Sequence, residues 1–185
     1  MTRSSLSDED GIILVQTARK IVTEFVRNDR RLELDEKLKA KFSFESGIFV
    51  TLNIQDNLRG CIGFPTPRKL TEALPEAAIA AATQDPRFSP VQVSELAKIT
   101  FEITVLTPPA EIKVDDPLQL PLKIKVGRDG LIVKQGYRSG LLLPQVPVGY
   151  GWNEEEFLDF TCQKAGLPDA IWRSEERRVG KECRS

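Results

Sequence analysis

Two strand-like runs stand almost end to end, with only a tight turn between them. In Gly47–Asn53 (GIFVTLN), Ile48, Val50 and Leu52 take one face and Phe49 and Thr51 the other. Gln55-Asp56-Asn57 turns the chain, and Leu58–Phe64 (LRGCIGF) resumes it. Strands joined this closely pair antiparallel, because a parallel pair needs a crossover of a dozen or more residues. Pro65 and Pro67 are expected to end the second run, since proline cannot donate to a ladder. An Ala-rich helix comes next, marked by Leu70, Ala73, Leu74, Ala77, Ala78 and Ala81. Its small side chains suit close packing on a sheet. Pro75 should kink it or begin its second half.

The rest of the chain mixes elements in the same way. Ser7 with Asp8-Glu9-Asp10 opens a helix, and Leu14, Ala18, Ile21 and Phe25 give it one apolar stripe. Arg27–Lys41 mixes charges of both signs and reads as a solvated linker. Lys98–Leu106 is the clearest strand, with Ile99, Phe101, Ile103 and Val105 inward. Lys123–Val126 and Leu131–Lys134 flank Gly127-Arg128-Asp129-Gly130, an Asp-Gly hairpin signature. Gly140–Val146 is a further strand, with Pro144 placing its end at an edge or bulge. Asn153 and Glu156 cap a helix that runs to a stop at Gly166. Strands and helices without regular βαβ alternation imply an α+β fold with a largely antiparallel sheet and packed helices.

Composition removes several function classes. The chain of 185 residues has 26 Lys+Arg against 27 Asp+Glu and a net charge of −1, which gives no general attraction to nucleic acid or to an anionic membrane. No apolar run approaches the ~20 residues of a membrane span, and the N-terminus lacks the apolar core of a signal peptide. There is no histidine, so Ser-His-Asp and Cys-His catalysis, His-ligated zinc and an imidazole base are excluded. Of the three cysteines, Cys61 and Cys162 are far apart and form no CxxC pair. A reduced, cytoplasmic protein without cofactor or metal is expected.

The ending is of another kind. Arg173–Ser185 (RSEERRVGKECRS) has no apolar periodicity and resembles the in-frame translation of a short-read sequencing adapter. It is set apart as a non-native tail carrying Cys183, and residues 8–172 are taken as the domain.

Chemistry concentrates in Leu58–Phe64. Glycine in a strand marks a bulge or a close backbone approach, and N–H groups exposed there can cradle an anion. Arg59 stands two residues from Cys61, on the same face if alternation holds, and would lower the thiol pKa. The segment is then a reactive thiol or an anion pocket; the alternative is a buried structural cysteine with its glycines kept for packing. Asp85-Pro86-Arg87-Phe88 is a second candidate, in which Arg87 forks onto a ligand carboxylate or phosphate, or else pairs internally with Asp85. Gln145, after Pro144, binds a ligand amide or only closes the sheet edge, and Glu102 is a candidate base or a solvent-facing acid.

Gly47-IFVTL, Leu58-RGCIGF, the Ala77–Val91 run, Gly130-LIV, Gly140-LLLPQV and Gly151-WNEEEFLDFTCQKAGL occur in the order found in the AMMECR domain family, which residues 8–172 resemble. The resemblance implies two related β-rich halves in one body. It also implies Memo-like and radical-SAM partners, which often accompany prokaryotic members, but no settled reaction. Carried over position by position, the candidate site is Arg59, Gly60, Cys61 and Gly63, with Asp85, Arg87 and Gln145 from the other matching segments. Members usually continue past the tryptophan matched by Trp172 into a final strand. With the tail in its place, the sheet is expected to lack that strand.

Three classes remain open. The first is a Cys61-dependent enzyme with Arg59 stabilising charge and the Gly60 and Gly63 amides orienting oxyanions. The second is a binding module whose LRGCIG cleft takes a small polar ligand or a modified residue. The third, a nucleic-acid or nucleotide-binding regulatory module, is disfavoured by charge. The missing imidazole leans toward binding. In either of the first two, Arg59, Cys61 and the Asp85–Phe88 loop should share one surface.

Overall fold

The computed structural model describes residues 6–174 in full and residues 178–184 by their backbone. The chain forms two compact units that part between Val105 and Leu106. Each has its own antiparallel sheet and its own apolar core, in an α+β arrangement.

In the first unit, α1 (Asp8–Asn28) starts with a reciprocal cap. Ser7 Oγ accepts from the Asp10 N–H, and the Asp10 carboxylate accepts from the Ser7 N–H. Leu14, Ala18 and Ile21 are buried, with Phe25 partly so. The stretch read as a solvated linker departs from that expectation. It holds the last residues of α1 and a short helix α2 (Glu36–Lys41), because Asp35 caps the Leu38 N–H at 2.8 Å and Leu34 is buried. Lys41 ties α2 to α1 through Asp10 at 2.8 Å, and this contact holds the Asp10 carboxyl down to about 2.

The hairpin forms as read. Strand β1 (Glu45–Ile54) pairs with β2 (Asn57–Lys69) across a turn in which Gln55 and Asp56 both take left-handed φ. Strand β3 (Ile99–Val105) lies on the other side of β1, so the order is β2-β1-β3 with β2 at an edge. Helix α3 (Leu70–Thr83) buries Ala73, Leu74, Ala77, Ala78 and Ala81 in a core shared with Ile48, Val50 and Leu52. One proline expectation is corrected. Strand β2 runs through Pro65 and Pro67, which sit on an edge strand opposite a register shift between Ser46 and Ile48, where a missing N–H costs little. Pro75 lies inside α3.

The second unit comprises β4 (Ala110–Glu111), α4 (Leu120–Lys123), β5 (Asp129–Gln135), β6 (Arg138–Leu142), α5 (Gln145–Tyr150), α6 (Glu154–Lys164) and β7 (Arg178–Arg184). The sheet order is β4-β7-β5-β6. Phe157, Leu158, Cys162 and Trp172 pack with Leu131 and Val133 in its core. Asn153 and Glu156 form the expected reciprocal cap on α6. The Asp-Gly hairpin is corrected. Asp129 turns inward, fully buried, to accept from the Lys125 N–H and to pair with Arg128, so Asp129 and Gly130 begin β5. The hairpin instead joins β5 to β6 through left-handed Gly136. Gly140–Val146 is likewise only partly strand, because β6 ends at Leu142, Pro144 is the N-cap of α5 and Gln145 and Val146 are helical.

The expectation of a sheet without its last strand is also corrected. The backbone of β7 pairs with β5 from Asp129 to Lys134 and with β4. Backbone pairing is tolerant of side-chain identity, so an unpatterned segment can fill such a position. Glu175, Glu176 and Arg177 of that tail lie outside the described residues, as do the side chains of Val179 and Cys183.

Candidate functional site

Arg59, Gly60, Cys61, Gly63, Asp85 and Arg87 all belong to the first unit and lie on β2 or on the loop after α3. The link between the two segments is Asp85, whose side chain is only 3% exposed. Its carboxylate accepts from the Cys61 backbone N–H at 2.8 Å. It also accepts from the Arg87 N–H at 3.1 Å, from Arg87 Nε at 2.9 Å and from Arg87 Nη2 at 2.7 Å. Arg87 holds the Asp85 carboxyl well below the usual carboxylate range, with the two backbone donors adding to the effect. On an edge strand alternate N–H groups point away from the sheet. The Cys61 N–H is one of these, and Asp85 takes the place a neighbouring strand's carbonyl would fill.

A second tie lies beside the first. Arg59 donates from Nε to Glu95 at 2.7 Å and from Nη2 at 3.1 Å, a two-pronged pair that crosses 36 residues of sequence. Phe88 lies near both arginines, with the Arg59 guanidinium 5.9 Å and that of Arg87 5.5 Å from its ring centre. The Asp85–Phe88 loop is thereby fixed to the edge of the sheet.

Because the Cys61 N–H faces outward, Cys61 and its partner Thr51 form a non-hydrogen-bonded pair, the kind whose side chains approach closely. The Thr51 hydroxyl donates to Cys61 Sγ at 3.2 Å. Burial pushes the half-buried Cys61 thiol up from its ordinary value, against smaller downward effects from the Thr51 hydrogen bond and Arg87.

One expectation for these residues changes, and for Arg87 and the glycines the structure selects between the two alternatives. Arg59 does not activate Cys61: it is the extra residue where the register shifts between Leu52 and Asn53, so strict alternation fails there, and its charge goes to Glu95. Arg87 takes the internal alternative, pairing with Asp85 through Nε and Nη2. The glycines serve close packing. A Cβ on Gly60 would overlap the Ala81 carbonyl oxygen of α3, and one on Gly63 would overlap the Ile48 carbonyl and the Phe49 ring. Alternation also turns the Gly60 N–H inward to Leu52, so it offers no oxyanion contact.

Gln145 opens α5 in the second unit. Glu102 is exposed on β3, across Thr51 from Cys61. Thr51 and Glu95 are part of the cluster without a signal in the sequence, whereas Phe88 belongs to the loop expected there. Counting back from the turn pairs Thr51 with Gly60, and only the extra residue at Arg59 brings it to Cys61. Among the described residues, no group of three or more acidic or cysteine side chains is placed to hold a metal ion, and no helix is long and apolar enough to cross a membrane.

Comparison with known proteins agrees with this architecture. The AMMECR1 family model matches residues 15–181. A protein of Thermococcus gammatolerans is 53% identical over 180 residues, covering 94% of this chain and 87% of that protein. One from Methanothermobacter thermautotrophicus is 49% identical, covering 97% and 94%. The crystal structure of protein PH0010 from Pyrococcus horikoshii superposes with a TM-score of 0.87 at 48% identity, over 96% of this chain and 90% of that one. With a family match across most of its length, and relatives near half identical over both units, the chain belongs to the AMMECR1 family.

Proposed function

We propose that the chain is a recognition module rather than a catalyst, and that the sheet surface around Cys61 takes a small polar ligand or a modified residue. One observation carries this reading. Arg59, Asp85 and Arg87 each have a charged partner inside the cluster, and burial pushes the Cys61 thiol up from its ordinary value. A nucleophile needs the opposite, a cation or base that generates thiolate. The paired charges make a rigid, preorganised surface, which suits binding. Memo-like and radical-SAM proteins are proposed as its partners on the strength of the family resemblance.

The test is the rate of Cys61 alkylation against pH, read by mass spectrometry of the Cys61 peptide so that Cys162 and Cys183 do not interfere. A rate that rises only above the ~8.5 of an ordinary cysteine supports recognition. A plateau with its midpoint below 7 would overturn it in favour of a thiolate enzyme.

A further inference from the structure

Three aromatic rings stand face to face at the surface of the second unit. The Tyr150 and Trp152 rings stack with centres 4.9 Å apart and 13° between their planes, and the Trp152 and Phe160 rings with 3.9 Å and 14°. Trp152 is the middle ring, and the backbone fixes it from both sides. Its N–H donates to the Pro147 carbonyl at 2.9 Å, and the Gly151 N–H donates to that of Val148 at 3.2 Å, with Gly151 at a left-handed φ of 70°. This is a helix stop that needs glycine. The next residue, Asn153, forms the reciprocal cap of α6 with Glu156. Phe160 lies on α6 itself.

Trp152 and Phe160 are half-buried and serve the start of α6. Tyr150 is 73% exposed although one of its faces rests on Trp152, so the opposite face is open to solvent. The stack thus ends in a flat apolar surface that is held in place before a ligand arrives, which lowers the entropic cost of binding. Its flank is acidic. Glu156 accepts from the Asn153 N–H, next to Trp152, and stands one turn before Phe160. Glu154 accepts from the Val126 N–H at 3.3 Å, and Asp159 from the Ala170 N–H and Trp172 Nε1. These donors are neutral, so the three carboxylates keep their charge. Glu155 is paired with Arg173 at 2.9 Å, and exposed Lys125, next to Val126, offsets one charge more; the balance stays negative.

We propose that the open face of Tyr150 binds the guanidinium of an arginine side chain on a protein partner. A guanidinium is planar, weakly hydrated and always charged, so it stacks on a ring, is attracted by its π face and suits an acidic flank. An ammonium has the charge without the plane. A nucleobase has the plane but brings phosphate toward the carboxylates, and a second copy of this chain brings the same carboxylates. The site is in the second unit and does not rest on the reading of Cys61.

The experiment titrates the 15N-labelled full chain with the acetylated, amidated tripeptide glycyl-arginyl-glycine and its citrulline and lysine counterparts, reading the Gly151 amide and the Trp152 indole N–H. Citrulline keeps the plane and loses the charge; lysine does the reverse. Expected is a saturable shift with the arginine peptide, at an affinity about threefold or more above either counterpart. Tyr150→Leu covers Trp152 but offers no flat ring, and should bring the arginine peptide down to the level of the lysine one. Tyr150→Phe should keep the preference, and both variants should melt as the parent chain does, since Tyr150 is exposed. Glu156→Gln keeps the cap, because glutamine accepts the same bond, and should narrow the advantage over citrulline. Equal binding of the citrulline or the lysine peptide, an undiminished preference in Tyr150→Leu, or no saturable shift with any peptide overturns the inference.

Discussion

In β2, Gly60 lies against the Ala81 carbonyl near the end of α3; in β6, Gly140 lies against Thr161, Lys164 and Ala165 at the end of α6. Each glycine is on the second strand of a hairpin, at the edge of its sheet, facing the closing turn of a helix. The two units differ in the segment beyond that helix. After α6, the Gly166 carbonyl accepts one exposed hydrogen bond from Arg138 at 3.0 Å. After α3, the buried Asp85 carboxylate takes four donors and fixes a loop to the strand edge, with Arg59 and Glu95 as a second tie. The glycine therefore belongs to the packing plan common to both units. The charged cluster is what the first unit adds, and that difference is why the candidate site is placed there.

The largest effects should come from the shared part. Gly60→Ala and Gly140→Ala both force a Cβ onto helix backbone, which cannot move aside as a flexible side chain would. Overpacking of this kind costs about 1–3 kcal/mol or more. For units of this size each kcal/mol is worth roughly 4–8 °C, so thermal unfolding should show comparable losses for both. A large loss for one and none for the other would break the parallel.

Asp85→Asn tests the added part. It removes the charge that Arg87 pairs with and weakens acceptance from the Cys61 N–H, at an expected cost of about 1–3 kcal/mol, discounted for the exposure of Arg87. It should also speed alkylation of Cys61 by loosening the loop. Arg138→Ala, which breaks the exposed counterpart, should cost about 0.5–1 kcal/mol in chemical denaturation. Equal costs would mean that the first unit's cluster is no more than a surface contact.

Acid gives a smaller, graded effect. Asp10, Asp85 and Glu95 are all held below their ordinary values by Lys41, Arg87 and Arg59 respectively. Groups lowered on folding contribute fully above the unfolded value near 4, and the contribution is lost as pH falls through the folded one. Stability should thus be flat from pH 7 to about 4.5 and decline below, toward the value of about 2 for Asp10. A decline that sets in near pH 6 would contradict these assignments. The smallest effect is expected of Thr51→Val, which deletes the donor to Sγ and should raise the thiol pKa further, slowing alkylation slightly at fixed pH.

The features legible in the sequence are local ones. The Gly47–Asn53 and Leu58–Phe64 hairpin, the caps at Ser7 and Asn153, and the Ala-rich helix each rest on patterns within a few residues. Sequence and structure part where burial, an edge position or a distant partner decides the outcome. Asp129-Gly130 has a turn's composition, yet the Asp129 carboxylate is spent on Lys125 and Arg128, and the turn falls at a lone glycine, Gly136. Pro65 and Pro67 look like stops, yet an edge strand needs no donor at those positions. At the site, proximity of Arg59 to Cys61 in sequence suggests an activated thiol. The partner of Arg59 is Glu95, and no local pattern links the two. The Asp85–Arg87 pair is legible because both of its members lie on one short loop.

The amide of Cys61 reports most directly on the central claim, that Asp85 closes the β2 edge at this residue. Its proton resonance and its hydrogen exchange should be tracked by NMR from pH 7 to 4. The account predicts a downfield, exchange-protected amide that stays constant over this range, because Asp85 remains ionised throughout. An amide that exchanges as fast as an open loop, or that titrates with a midpoint near the ordinary ~4 of a carboxylate, would contradict it.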